Sequence, residues 1–186
     1  MNGIKWSLRS GFRRNTMILG VTGHRPERVG GYLIPNPIYD YVISEMKSYI
    51  LAIKPEKIIT GMALGVDTWA ASVAIELGIP FIAAVPFLGQ ADRWQASERH
   101  KYVALLSKAV EVVMVSEDGY AEEKLQTRNE WIVDHSDEML VVYDGKPGGG
   151  TKRCAKYAAK KGVLIKFIVP KVEEESEYPQ PLKIAL

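Results

Sequence analysis

The chain has 186 residues, a length that suits one α/β domain and would be cramped for two. Its 24 basic and 22 acidic residues leave a formal net charge of +2, which argues against a protein that mainly coats nucleic acid. One cysteine excludes an internal disulfide and a cysteine zinc cage, and it fits a reducing, cytoplasmic location. No apolar run approaches the roughly 20 residues that crossing a membrane requires, so no membrane partner is expected.

Composition divides the chain into three parts. Residues 1–16 carry Arg9, Arg13 and Arg14 without an apolar stretch behind them, which predicts a poorly ordered basic arm rather than a secretory signal. Residues 17–172 are predicted to form a single domain. Residues 173–186, with a run of Glu and two prolines, are predicted to be a solvated C-terminal extension.

Short β-type runs alternate with longer helical runs along the domain. The predicted elements in chain order are strand 17–22, a helix beginning at 36–37, strand 57–60, helix 67–77, strand 81–85, helix 92–108, strand 110–115, helix 120–136, strand 139–143, helix 152–161 and strand 163–169. Asn36 followed by Pro37 indicates a helix start, Gly78 a helix end, and Asp92 is predicted to cap the third helix.

The predicted strands are continuous apolar runs, which is typical of a sheet covered on both faces. Regular β-α alternation then predicts an α/β protein with a Rossmann-like, doubly wound, mostly parallel sheet and helices on both faces. Such sheets bind ligands beyond the carboxyl ends of their strands, near the point where the strand order reverses. The loops that follow the strands are therefore the candidate binding segments.

A glycine-rich turn follows the fifth predicted strand and precedes a helix. It contains five candidate ligand-binding residues: Asp144, Gly148, Gly149, Gly150 and Thr151. Bare backbone N–H groups converge at a helix N-terminus, where the helix dipole favours negative charge. Glycine lets a phosphate approach that backbone closely. The segment therefore predicts a site for a phosphorylated small molecule, and a nucleotide in particular.

The first strand ends in Thr22, Gly23, His24 and Arg25. Gly23 allows a tight turn, and the next two side chains place an imidazole and a fixed cation where a ligand is expected. An ordinary loop with a surface Arg is the alternative.

The second strand leads into Gly61, Met62, Ala63, Gly65 and Asp67. Two glycines four residues apart at a helix start predict a second close approach of backbone to ligand. Asp67 has two interpretations that remain open, a helix cap and an acceptor for a ribose hydroxyl.

The third strand ends in Pro86 and Phe87, followed by Gln90 and Trp94. The two aromatic rings are candidates for stacking a base, and Gln90 is a candidate for contacting its edge. Aromatic residues near a helix start are also common core residues, which is the alternative for both rings.

Helix 120–136 places Arg128 and Asn129 on the face that also carries Leu125 and Ile132. An inward-facing Arg without a partner is expensive. Its predicted partner is either a structural carboxylate, such as Asp134 or Asp137, or a bound phosphate.

Cys154 lies on helix 152–161 with small apolar neighbours. It is either a small buried apolar residue or, near the helix N-terminus, a thiol of lowered pKa. His24, His100 and His135 are too scattered to predict a metal cage, so no metal site is expected.

Together these motifs resemble the SLOG superfamily of Rossmann-like nucleotide-binding proteins, and most closely its YspA-like and YpsA-like branch. The segments that carry the resemblance are 21–26, 60–67, 86–87, 128–129 and 149–151. The glycine loop from Gly61 to Asp67 is also similar to that of the DNA-processing protein A family, whose members bind single-stranded DNA.

The superfamily includes the Lonely guy phosphoribohydrolases, and the spacing of Arg128 and Asp137 resembles theirs. The glycine loop here lacks one residue between its glycines, and Cys154 stands where the catalytic Glu of that family falls. A neutral thiol neither stabilises an oxocarbenium-like sugar nor activates water well. Catalytic residues therefore stay unassigned, with Arg128 and Asp67 as candidates.

The leading hypothesis is binding of a nucleotide or nucleotide-derived ligand, in a sensor or ligand-binding role, with ADP-ribose-like and NAD-derived molecules implied by the resemblance. One alternative is an enzyme that hydrolyses the N-glycosidic bond of a nucleoside monophosphate, and another is a single-stranded DNA binder. The resemblance also implies a homo-oligomer. No cofactor is assigned beyond the nucleotide-type ligand.

Overall fold

A computed structural model describes residues 17–171. The predicted basic arm (1–16) and C-terminal extension (173–186) lie outside these residues. The described residues form one sheet of six parallel strands: β1 Ile18–Gly23, β2 Lys57–Thr60, β3 Phe81–Val85, β4 Glu111–Met114, β5 Glu138–Val142 and β6 Leu164–Ile168.

Five α-helices in the same part of the chain connect these strands. They are α1 Pro37–Ile53, α2 Val66–Glu76, α3 Ala96–Leu106, α4 Glu122–Asp134 and α5 Gly149–Lys161. A short 3-10 helix, Pro26–Arg28, follows β1. None of the helices between residues 17 and 171 combines the length and the apolarity that crossing a bilayer needs.

The sheet has the strand order β4-β3-β2-β1-β5-β6. The chain moves outward from β1 to β4, and then returns to add β5 on the other side of β1. The strand order therefore reverses between β1 and β5, whose carboxyl ends are level, with Gly23 paired to Val142. This reversal brings the loops that follow β1 and β5 side by side.

Two apolar layers cover the sheet, one on each face. Helices α1, α2 and α3 pack against inward side chains such as Leu19 and Phe81. Helices α4 and α5 pack on the opposite face against Ile59, Met139 and Val141. The prediction of a doubly wound α/β sheet is thereby confirmed, with burial continuous in the central strands and partial in the edge strands β4 and β6.

The helix starts show where local signals succeed and fail. Asn36 caps α1 as predicted, because its Oδ1 accepts the Tyr39 N–H at 2.9 Å. The prediction that Asp92 caps the third helix is wrong: α3 begins at Ala96 with Gln95 as N-cap. Asp92 instead donates its backbone N–H to the carbonyl of Gly89 at 3.0 Å, so a turn precedes the helix.

The last helix begins three residues earlier than predicted. The prediction started it at Lys152, whereas α5 starts at Gly149 with Gly148 as its N-cap. The glycines therefore form the first helical turn rather than a loop ahead of it. Helix α4 is shorter than predicted at both ends, so Tyr120 lies in the loop before it.

Candidate ligand-binding site

A cleft of about 580 Å³ opens at the carboxyl ends of the strands, beside the reversal of strand order. The predicted site residues that line it are Thr22, Gly23, His24, Arg25, Ala63, Asp67, Arg128, Asn129, Gly149, Gly150 and Thr151. Seven lining residues were not among the predicted site residues: Glu27, Arg28, Tyr120, Glu122, Leu125, Gln126 and Arg153. The cleft thus joins the loop after β1, the start of α2, one face of α4 and the N-terminus of α5.

The N-terminus of α5 faces this cleft without a side-chain cap. Gly148 and Gly149 have φ values of +84° and +82°, a left-handed conformation that favours glycine. Among the described residues, no side chain caps this helix. A Cβ atom on Gly148 would meet nothing within 4 Å, and one on Gly150 would meet Asn129 Nδ2 only at 3.6 Å. The first backbone N–H groups of α5 are therefore accessible to an anion.

Arg28 lies at the same helix end and is held there by Asp144. The Asp144 carboxylate accepts hydrogen bonds from Arg28 Nε at 2.9 Å and from Arg28 Nη2. Burial alone would raise the pKa of Asp144, but the bonds from Arg28, together with the backbone N–H of Lys146 and the contact with His24, outweigh it and lower that pKa to about 2. Arg28 Nη1 lies 3.5 Å from where a Cβ on Gly149 would stand. Asp144, a predicted ligand-binding residue, thus contacts the cleft through Arg28.

His24 and Thr151 connect the two loops at the reversal of strand order. The His24 Nε2 atom lies 2.9 Å from Asp144 Oδ1, and its Nδ1 atom lies 3.4 Å from Thr151 Oγ1. Thr151 Oγ1 donates to the Gly23 carbonyl at 2.9 Å. Burial lowers the pKa of His24, and the charge of Asp144 opposes that shift. His24 and Thr151 line the cleft, and their contacts also hold the loop after β1 against Asp144 and the start of α5.

Arg128 is buried below the cleft, with 4% of its surface exposed. Its Nη1 donates to the Gly61 carbonyl and lies 3.5 Å from Asp67 Oδ2, while its Nε donates to Asn129 Oδ1 at 3.0 Å. The structural carboxylate beside Arg128 is therefore Asp67.

The two carboxylates predicted for Arg128, Asp134 and Asp137, are engaged elsewhere, so the prediction of these two residues is wrong, and the alternative of a bound phosphate stays a prediction. Asp134 accepts from Lys161 Nζ at 2.7 Å, and Asp137 accepts the backbone N–H of Ile18 at 2.7 Å. Asp67 lies 61 residues before Arg128 in the chain, and helical spacing cannot reveal a contact between separate elements.

The space beside Gly61 and Gly65, the two glycines before α2, is filled by other groups of the protein. A Cβ on Gly61 would overlap the Arg128 guanidinium, and one on Gly65 would lie 2.6 Å from the His24 carbonyl oxygen. Met62 is fully buried. Of this segment, Ala63 and Asp67 line the cleft, and burial raises the pKa of Asp67 against the opposing charge of Arg128.

The predicted residues after β3 lie outside the cleft lining. Pro86 and Phe87 are buried, and Gln90 Nε2 donates to the Met62 carbonyl at 2.9 Å. Trp94 packs edge-on against Tyr102, with ring centroids 5.2 Å apart. Gln90 therefore supports the loop after β2, and Trp94 belongs to the core.

The wall formed by α4 and the loop before it includes residues that the sequence did not indicate. Tyr120 is 64% exposed and contacts the buried Phe87 edge-to-face. Gln126 donates to Glu130 Oε1 at 2.9 Å, and its own Oε1 is buried without a partner among the described residues. Tyr120 sits where a helix start was predicted, so no local pattern marked it as a wall residue.

Cys154 is fully buried under the sheet, and burial raises the pKa of its thiol to about 12. The position where the resemblance implies a catalytic Glu is therefore an apolar core position here. Within residues 17–171, His, Cys, Asp and Glu side chains form no cluster of three that could hold a metal ion.

Comparisons of the sequence identify the family. The model of the YspA SLOG family matches residues 19–172, so the chain belongs to this family. UPF0398 proteins of Bacillus thuringiensis (strain Al Hakam) and Bacillus cereus (strain B4264) are each 28% identical over 159 residues, covering 81% of this chain and 86% of theirs.

Comparisons of the structure find the same fold in DNA processing protein A. The Streptococcus pneumoniae protein superposes with a TM-score of 0.60 at 16% identity, covering 85% of this chain and 52% of that one. The Helicobacter pylori protein, described with a single-stranded DNA binding mode, gives 0.61 at 20% identity, covering 86% and 68%. This chain thus spans about half of the S. pneumoniae chain, and these similarities establish the fold alone.

Proposed function

We propose that this SLOG protein binds a nucleotide or nucleotide-derived ligand in the cleft, with a phosphate group on the N-terminus of α5. The observation that carries the proposal is the uncapped first turn of α5, which opens into the cleft beside the guanidinium of Arg28. Backbone N–H groups, a helix dipole and an adjacent Arg are together suited to a phosphate.

The charges around the cleft support an anionic ligand. Arg25 is exposed at the rim and makes no ion pair within residues 17–171, and half-buried Arg28 has a free Nη1 edge toward Gly149. Arg153 also lines the cleft, but it pairs with Glu122 at 3.1 Å. The cleft therefore offers cationic groups that an anion would neutralise.

The floor supplies neutral and acidic polar groups suited to a sugar. Asn129 uses its Oδ1 to accept from Arg128, which leaves its amide nitrogen on the side of Gly150. Asp67 also lines the cleft and is an acceptor for a ribose hydroxyl. Both residues are held by Arg128, so the floor is organised before a ligand arrives.

N-glycosidic hydrolysis of a nucleoside monophosphate is the second candidate. The observation in its favour is Asp67, a buried carboxylate of raised pKa that lines the cleft although the expected catalytic Glu is absent. Incubation with nucleoside monophosphates, followed by chromatography, tests for release of free base. Base release by the wild-type protein that Asp67→Asn abolishes would support hydrolysis, and no release would exclude it for those substrates.

Single-stranded DNA binding is less well supported by this chain. The fold is shared with DNA processing protein A, but the formal net charge here is only +2, and Glu27 and Glu122 line the same cleft. Phosphate-backbone binding relies on several cations and weakens steeply with salt. A gel-shift titration at moderate salt decides between this function and small-ligand binding.

Thermal unfolding with nucleoside monophosphates, ADP-ribose and NAD tests the main proposal. A ligand at about 100 times its dissociation constant should stabilise the protein by roughly 2.7 kcal/mol. Arg25→Gln should weaken that stabilisation, because it removes a rim cation that has no partner in the described chain. Lys156→Gln, at an exposed position on α5 outside the cleft, is the matched control.

Two results would contradict the proposal. One is the absence of stabilisation by every nucleotide tested at millimolar concentration. The other is that a nucleotide stabilises the wild type, Arg25→Gln and Lys156→Gln equally. Equal stabilisation would show that the nucleotide binds away from the cleft, where the charge of Arg25 has no effect.

A further inference from the structure

We infer that Tyr120 is the platform on which the planar base of the ligand stacks, which makes the ligand a nucleotide rather than a sugar phosphate. This inference rests on the proposed function, since it describes the other end of the same cleft. It assigns a specificity role to a residue that the sequence motifs do not include.

Tyr120 is an exposed aromatic ring held in place by the protein. Its ring meets Phe87 edge-to-face, with centroids 5.8 Å apart and an interplanar angle of 84°. The Arg93 guanidinium lies over the ring, 5.6 Å from its centroid. Despite both contacts the side chain keeps 64% of its surface exposed and lines the cleft. The contacts with Phe87 and Arg93 thus support the ring, and the exposed part of the side chain is accessible to a ligand.

Phe87 itself was a predicted candidate for stacking a base, and in the structure it supports Tyr120 instead. Phe87 is 4% exposed and lies outside the cleft lining, so it has no free face for a base. Its edge-to-face contact instead limits the orientations open to Tyr120. A pre-oriented ring loses little side-chain entropy when a base stacks on it, which favours binding.

The walls of the cleft have different chemistry in different parts. Gly149, Gly150 and Arg28 supply N–H donors and positive charge at the start of α5. Tyr120 and Leu125 supply aromatic and aliphatic surface on the α4 side. A molecule that fits both parts carries an anionic group and a flat apolar group, as a nucleotide does. A sugar phosphate would leave the aromatic wall without a contact.

Calorimetric titration with AMP, GMP, CMP and UMP, and with ribose 5-phosphate, tests the inference. Wild-type protein should bind its preferred nucleoside monophosphate at least tenfold more tightly than ribose 5-phosphate. Tyr120→Leu should weaken that nucleotide about tenfold, within the range found when a stacking aromatic is removed, and leave ribose 5-phosphate unchanged. Tyr120→Phe keeps the ring and is the matched control, so it should bind as the wild type does.

The outcomes separate this inference from the proposed function. If Tyr120→Leu binds the nucleotide as tightly as the wild type, or if ribose 5-phosphate binds as tightly as every nucleotide, the platform is wrong and the phosphate site stands. If the wild type binds none of the five probes, the platform for a nucleoside monophosphate is wrong, and if ADP-ribose and NAD also fail to stabilise the protein, the proposed function fails as well. Circular dichroism and the melting temperature of each variant confirm that it is folded, which the exposed position of Tyr120 favours.

Discussion

Asp67 and Arg128 place opposite charges in a nearly dry environment, where each depends on the other. Arg128 Nη1 lies 3.5 Å from Asp67 Oδ2, and both side chains are almost fully buried. Asp67→Ala should therefore lower the free energy of unfolding by about 3 to 5 kcal/mol, because it leaves a buried guanidinium without its counter-charge. Urea denaturation at neutral pH measures this loss.

An exposed ion pair provides the matched control for that measurement. Lys47 Nζ and Glu76 Oε1 are 2.6 Å apart, with much of both side chains in solvent. Glu76→Ala should cost about 0 to 1 kcal/mol, because water screens the pair. If Asp67→Ala costs no more than Glu76→Ala, Arg128 is solvated in solution and the buried pair is not a stability element.

Cys154 offers a second test of burial at a single side chain. It is fully buried, and the pKa of its thiol is raised to about 12, so the folded protein holds it as a neutral thiol at pH 8. Iodoacetamide should label it within minutes in denaturant and only at the rate of unfolding in buffer, as followed by mass spectrometry. Rapid labelling of the folded protein would show that α5 opens locally at this position.

At the scale of elements, the first turn of α5 combines a structural and a binding role that one substitution can separate. Gly150 does not require a left-handed φ, and a Cβ there would make only an ordinary contact with Asn129. Gly150→Ala should keep or raise the free energy of unfolding, by about 0.5 kcal/mol, because Ala is the better helix former. The same methyl group should weaken nucleotide binding about tenfold by crowding the N–H groups. Urea denaturation and calorimetry measure the two effects.

A substitution at the neighbouring Gly149 would not separate an effect on folding from an effect on binding. Gly149 has a φ of +82°, so any side chain there strains the backbone and mixes a folding defect with a binding defect. Gly150→Ala with unchanged affinity would contradict a phosphate on this helix end. A loss of both stability and affinity would show that the turn tolerates no side chain and would leave the thermal-shift series as the deciding measurement of binding.

The elements that the sequence predicted best are those whose signals are local. Strands β2 and β3 have the predicted bounds, 57–60 and 81–85, because short apolar runs bounded by turn residues indicate buried strands on their own. The start of α3 was missed because Asp92 has cap chemistry but closes a turn instead. A local pattern cannot distinguish an Asp whose carboxylate caps a helix from one whose backbone N–H closes a turn.

The candidate site was predictable as far as it follows from topology. Once a doubly wound sheet is expected, the loops after its strands are the candidate site, and the structure shows that those after β1 and β5 meet, with Gly23 and Val142 as register partners. The partner of Arg128, the clamp between Asp144 and Arg28, and the exposure of Tyr120 depend on contacts between separate elements. Such contacts produce no periodic pattern in the sequence from which they could be predicted.

For the whole molecule, His24, on the loop after β1, links the two halves of the sheet through its contacts with Asp144 after β5 and Thr151 on α5. The stability of the fold should therefore depend on whether His24 is protonated. Burial, opposed by Asp144, lowers the pKa of His24 below 6.5 in the folded protein. The unfolded chain therefore takes up this proton at a higher pH than the folded chain does. The free energy of unfolding contributed by His24 should fall as the pH falls below about 7, because the unfolded state then binds more protons.

Urea denaturation between pH 7 and pH 5 measures this coupling when wild type is compared with His24→Gln, which removes the titration and keeps a polar side chain of similar reach. The two free energies should differ most at pH 7, where the neutral imidazole fits its buried position. The difference should narrow towards pH 5, because protonation of the unfolded wild-type chain removes that advantage. Profiles that stay parallel across this range would show that His24 titrates alike in both states, and that its contacts with Asp144 and Thr151 do not hold the two halves in a pH-dependent way.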